Sequence, residues 1–167
     1  MDIDIYVKNN SISIIVETEV PRYINFFENS YQENMSHAHF VKNNFPRWSI
    51  ISGYYAMHDV TKLFLAKEFR IKIDLKVHKT TIQILNEIVK DKEILGLLQA
   101  GYEEFIKIAN DLAEAKEERM KVQYYTGSDF MKEKYKEEAE SFLTKTAMPY
   151  VEKIKKLMQK NDNQSSK

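Results

Sequence analysis

The chain has 167 residues, with 25 Lys+Arg against 25 Asp+Glu, 43% hydrophobic residues and no cysteine. The length suits one domain with a real core, and the missing cysteine excludes a disulfide scaffold, a thiolate zinc site and a cysteine nucleophile. Zero net charge argues against a long nucleic-acid track, and 4 Gly and 3 Pro among 30% charged residues point to a mainly helical chain.

Residues 1–18 read as a β-hairpin. Ile3, Ile5 and Val7 alternate with polar neighbours, as do Ile12, Ile14 and Val16, on either side of Asn9-Asn10. Asparagine tolerates the positive φ of a tight turn. The period changes at Pro21. Tyr23, Phe27, Tyr31, Met35 and Ala38 then share one helical face, up to the break at Asn43-Asn44-Phe45-Pro46. His37 and His39 fall on different sides of this helix and cannot readily share a metal.

Residues 47–69 are apolar nearly all round, which marks a central helix packed on several sides. RIKIDLKVH, residues 70–78, alternates again and is expected as a third strand or an extended connection. If it is a strand, its basic side would sit near Asp2 and Asp4 of the hairpin. A third helix carries Ile82, Leu85, Ile88 and Val89. A fourth spans about 93–125, with Gly96 and Gly101 inviting a break. A fifth opens near Ser128 or Asp129 and should kink at Pro149. The last residues, 160–167, are polar and expected to be disordered. The expected fold is therefore an up-and-down bundle of about five helices over 19–159. It carries an N-terminal hairpin (1–18), a short third strand at 70–77 and a tail (160–167).

The acidic start MDIDIYVKNN lacks the basic region and apolar run of a signal peptide. No apolar stretch approaches bilayer length, so a cytoplasmic protein without membrane contact is expected. Gly-rich phosphate loop, zinc motif and nucleophile elbow are all absent, and the Glu-rich stretches alternate with lysine as a salt-bridged surface would. Neither a cofactor nor a metal is expected.

Three groups of residues stand out as binding candidates. His58 follows Tyr54 and Tyr55 at spacings of four and three, which allows a Tyr–His network. It is either a polar element of a groove or, more plainly, a hydrogen-bonded core histidine. Arg70, Lys72, Lys76, His78 and Lys79 form the densest basic stretch, with four Lys/Arg against Asp74 alone between 70 and 79. His78-Lys79 also precedes a helix start, where backbone N–H groups favour anions. The plainer alternative is a solvated charged edge. Arg119, Tyr124 and Tyr125 put a guanidinium beside phenols, a combination that holds a phosphate and stacks a base. The plainer alternative there is a cation complementing a helix dipole beside core tyrosines.

The order of these landmarks resembles that of HEPN domains (higher eukaryotes and prokaryotes nucleotide-binding). The segment Pro46-Arg47-Trp48-Ser49-Ile50-Ile51-Ser52-Gly53-Tyr54-Tyr55-Ala56-Met57 is similar to the tyrosine-pair helix of that family. His78-Lys79 stands where the family's His-Lys pair opens the next helix. Arg119, Gln123-Tyr124-Tyr125 and the helix from Asp129 follow in the family's order, so the resemblance covers roughly residues 20–159. It implies a helical bundle, often a homodimer, that associates with nucleotides or RNA. Family members often sit beside a nucleotidyltransferase partner in toxin–antitoxin systems, and some are metal-independent ribonucleases. Those ribonucleases place a histidine four to six residues after an arginine. Here Arg119 is followed by Gln123, Tyr124 and Tyr125, so the motif is missing and a non-catalytic role is expected. A ribonuclease toxin using Arg119 with His78 or His58 is one alternative. A structural protein-interaction module is the other.

Overall fold

A computed structural model describes residues 3–118 and 129–165. The chain is mainly α, with a small two-stranded antiparallel sheet. Helix α1 (Ile3–Lys8) and strand β1 (Ile12–Ile14) lead through a short 3-10 turn (Glu17–Glu19) into α2 (Val20–Val41) and α3 (Pro46–Phe69). Strand β2 (Ile71–Ile73), α4 (Val77–Ile88) and α5 (Lys92–Glu118) follow. Helix α6 (Asp129–Phe142) and α7 (Met148–Ser165) are joined by a π turn at Leu143–Ala147.

The start of the chain corrects the hairpin expected over residues 1–18. Its first arm is helix α1, and Asn9-Asn10 ends that helix instead of turning a hairpin. Asn10 does take a positive φ, 57°. Its N–H bonds the Val7 carbonyl and that of Ser11 bonds the Tyr6 carbonyl, the paired pattern that closes a helix on a left-handed residue. Spacing explains the choice. Ile3 and Tyr6 lie one helical turn apart and both pack against the core, a contact that outweighs the β preference of the alternating residues. Asp4 therefore lies on a helix, and Asp2 lies outside the described residues.

The second arm is a strand, and its partner is the 70–77 segment. Ile12 faces Ile73, Ser13 faces Lys72 and Ile14 faces Ile71. The strand is shorter than expected because Lys76, at φ 47°, reverses the chain and Val77 already begins α4. Lys72 pairs with Asp74 at 2.6 Å, and Arg70 reaches Glu17 at 3.6 Å. Ile12 belongs to the same buried core as the helices, so the segment before α2 packs as part of the bundle.

Helix α3 is the centre of the fold. It packs against α2, α4, α5, α6 and α7, and residues from Ser49 to Ala66 are buried on nearly every side. Trp48, in its first turn, and Tyr55 are exceptions to the all-round burial expected of it, with Trp48 59% exposed. The helix ends at Arg70, whose left-handed backbone lets its N–H reach the Ala66 and Leu65 carbonyls before the chain turns into β2. Close approach is bought by glycine at two places. A Cβ on Gly53 would stand 2.9 Å from Phe142 and Leu143, and one on Gly101 would stand 2.7 Å from the Met57 methyl. The second contact explains why α5 continues unbroken through Gly101, against the expected break: the missing Cβ there serves packing.

Just before Pro149, where a kink is expected, the helix widens into the π turn. Proline has no N–H to offer, and its ring crowds the carbonyl of Lys145 four residues back. Widening that turn relieves the crowding, and the Met148 N–H bonds the Leu143 carbonyl five residues away. The backbone expected to be a disordered tail continues α7 as helix to Ser165.

Candidate functional site

Four of the nine candidate residues come together where α3, α4 and α5 meet. Tyr54, Tyr55 and His58 project from successive turns of α3, and His78 projects from the first turn of α4. The backbone sets this up in two steps. Arg70 turns the chain off α3 into β2, and Lys76 turns it back so that α4 starts beside the middle of α3.

Tyr54 is fully buried, and its hydroxyl lies 2.8 Å from Nδ1 of His78. Burial first, and then the neighbouring phenols of Tyr102 and Tyr55, push the Tyr54 phenol well above its ordinary value, so it keeps its proton. A phenol is the stronger acid and an imidazole nitrogen the stronger base, so the favoured tautomer has the phenol as donor. His78 accepts at Nδ1 and carries its own proton on Nε2. Phe105 of α5 stacks on the Tyr54 ring with centroids 4.5 Å apart, and it also stacks on His78 at 5.4 Å. Tyr102 lies 6.4 Å from His78, and Tyr55 meets the His78 ring edge-on at 6.1 Å.

His58 is 2% exposed, the hydrogen-bonded core histidine foreseen as the plainer alternative. Its partner differs from the one expected. The Tyr54 ring only stacks on it, whereas its Nε2 lies 3.2 Å from the hydroxyl of Thr81. That hydroxyl already donates to the Val77 carbonyl at 2.7 Å, so it accepts from His58. The opposite nitrogen, Nδ1, has no hydrogen-bond partner and stands 3.9 Å from Asp59 Oδ1. Burial holds the His58 ring below its ordinary value, against the opposing pull of Asp59. Burial, the nearby His58 and the Lys62 charge act in the same direction on His78.

Asp59 anchors a second polar group beneath this one. Its Oδ2 accepts from Ser30 at 2.6 Å and from Asn34 at 3.0 Å, both on α2, while Lys62 stands 3.8 Å from Oδ1. Burial works against the carboxylate. Hydrogen bonds from its neighbours and the Lys62 charge outweigh burial and hold the carboxyl below its ordinary value.

The remaining candidates divide. Lys79 is exposed at the start of α4, next to His78. Arg70 is exposed at the α3 C-terminus and engaged with Glu17. Arg119, Tyr124 and Tyr125 lie outside the described residues. Thr81, Ser30, Asn34 and Lys62 were missed as site residues. Thr81 was findable, because it follows His78 by one helical turn and so shares its face. Ser30 and Asn34 come from another helix, and only packing reveals them.

Two open grooves lie elsewhere and include none of the cluster. One, of about 400 Å³, runs between α2 and α7 past Met35, His39, Met148 and Lys155. The other, of about 450 Å³, borders α6 at Glu137, Glu140 and Thr144. Among the described residues no group of three or more metal-ligating side chains occurs, and no helix is long and apolar enough to cross a membrane. Compared with known proteins, the chain matches no family model, no curated protein and no solved structure. Fold and site together define a helical bundle around a buried Tyr–His cluster, and any finer assignment rests on the chemistry of that cluster.

Proposed function

We propose that the protein is a HEPN-like helical component that binds a nucleotide or RNA, within a toxin–antitoxin or nucleotidyltransferase-associated system and as a homodimer. The observation that carries this reading is the 2.8 Å contact between Tyr54 and His78, because it joins the tyrosine-pair helix to the His-Lys pair. Beside that contact lie the chemical parts a nucleotide needs. Tyr55 is 37% exposed and offers a ring face for a base. Lys79 and the half-buried His78 offer N–H donors at the start of α4, whose first turn carries no acidic residue. The role is binding and not cleavage. The arginine-to-histidine spacing of the family's ribonucleases is missing from the sequence.

The test is a titration of ATP, AMP and short RNA by calorimetry, with side-chain and amide NMR shifts followed in parallel. Shifts centred on Tyr55, His78 and Lys79 support the reading, and silence there removes it.

A second reading, a protein-interaction module, is favoured by exposed apolar side chains. Phe40, Phe45 and Trp48 at the α2–α3 corner are 85%, 60% and 59% exposed, and Ile14 and Val16 beside β1 are 56% and 67% exposed. Point changes suit its test better than deletion of residues 1–18, because Ile12 belongs to the core. Loss of partner binding in Phe40→Ser or Ile14→Ser, with the fold intact, supports it.

A further inference from the structure

The contact between α3 and α4 is braced by two side-chain bonds of reciprocal design. Helix α3 supplies the hydroxyl of Tyr54 and the ring of His58, while α4 supplies the ring of His78 and the hydroxyl of Thr81. The two imidazoles face each other with centroids 4.9 Å apart. Each bond as built uses a singly protonated ring. His78 must keep Nδ1 free to accept from Tyr54, and His58 gives its one proton to Thr81.

The surroundings favour that state. From α3, the pair faces Tyr54, Tyr55, Asp59 and Lys62, and from α5 it faces Tyr102 and Phe105. From α4 come Thr81 and the Val77 carbonyl. Ser30 and Asn34 of α2 reach Asp59 and not the imidazoles. Asp59 is the one carboxylate described beside the pair, and it lies against His58, with two hydrogen bonds and Lys62 already drawing on it. Among the described residues no carboxylate is paired with His78. That ring sits in the first turn of α4, next to Lys76 and Lys79, where the helix dipole also disfavours added positive charge.

We propose that the His58–His78 pair is an acid-sensitive latch, in which protonation of His78 frees the first turns of α4, residues 77–81, from α3 and uncovers Tyr54 and Phe105. An imidazolium at position 78 can only donate to the Tyr54 oxygen, which leaves the buried phenol proton without its acceptor, and its charge lies beside a second histidine in a mostly aromatic setting. The cheapest response is to move the α4 start into water. Lys76, already in a left-handed conformation, is the joint about which it swings. The latch follows from side-chain bonding alone and stands whether or not the site takes a nucleotide.

Amide hydrogen exchange on the full chain tests it, at about pH 7.5 and about pH 5 and corrected for intrinsic rates. The latch predicts that residues 77–81 exchange roughly ten-fold faster or more at the lower pH, while the middle of α3 and α7 keep their protection. His78→Asn retains an acceptor for Tyr54 but does not titrate, so it should keep the same α4 protection at both values. Equal α4 protection of the native chain at both pH values would overturn the proposal. So would the same acid step in His78→Asn. Should that variant fail to fold, NMR of the native chain decides: the latch requires the His78 ring and the 77–81 amides to titrate with one midpoint, and separate midpoints refute it.

Discussion

The Tyr54 hydroxyl and Nδ1 of His78 are hydrogen-bonded across 2.8 Å, which ties the middle of α3 to the first turn of α4. Every other element of the candidate site is arranged about this bond. Phe105 covers it from α5, His58 stacks beneath it, and Tyr55 and Lys79 stand at its exposed rim.

Tyr54→Phe keeps the ring and its stacking but removes the donor. Nδ1 of His78 then loses its partner in a half-buried setting, at a cost of about 1–3 kcal/mol. A lowered urea midpoint with an unchanged slope is the expected result.

The pH dependence of stability follows from three groups. His58 and His78 are held below their ordinary value of 6.5, so the unfolded chain takes up those protons first. Their contribution is complete above that value and is lost as pH falls below it, through the lower folded values. Asp59 is held below its ordinary 3.8, so its contribution persists through weak acid and disappears only as pH drops through its own lower value. Urea midpoints recorded against pH should therefore decline in two stages. The double variant His58→Gln, His78→Asn should lose the first stage and keep the second.

Asp59→Ala strands Ser30, Asn34 and Lys62 around a missing carboxylate. The expected loss is about 2–4 kcal/mol, since buried polar partners are left without an acceptor. Asp59→Asn keeps the shape and one acceptor oxygen and should cost less in the same denaturation assay.

Two glycine substitutions should move stability in opposite directions. Gly53→Ala drives a methyl to within 2.9 Å of Phe142 and Leu143, which costs about 1–3 kcal/mol. Gly96→Ala meets nothing within 4 Å and gains about 0.5–1 kcal/mol from helix propensity. Thermal melts of the two variants compare these effects directly.

The helices were legible because their signals agree at several levels. In α2, α4 and α7 the periodic stripe survives as the buried face, and Pro46 marks a helix start as composition suggests. The N-terminus misled because alternating β-branched residues and a positive-φ asparagine suit a hairpin and a capped helical turn equally well. Only contact between Ile3, Tyr6 and the core distinguishes them. Site residues on α3 were legible from their spacing along one helix. The bond between Tyr54 and His78 was not, since the two reversals at Arg70 and Lys76 that bring them together carry no glycine to announce them. Ser30 and Asn34 were hidden for a similar reason, being ordinary helix-surface residues until α2 packs on α3.

The most direct test of the proposed function is an amide and aromatic NMR titration of the full chain with AMP, ATP and a short RNA at neutral pH. The account predicts saturable shifts centred on Tyr55, His78 and Lys79, weakened in Lys79→Ala and in His78→Asn. Saturating additions of all three ligands that leave those signals unmoved would contradict it.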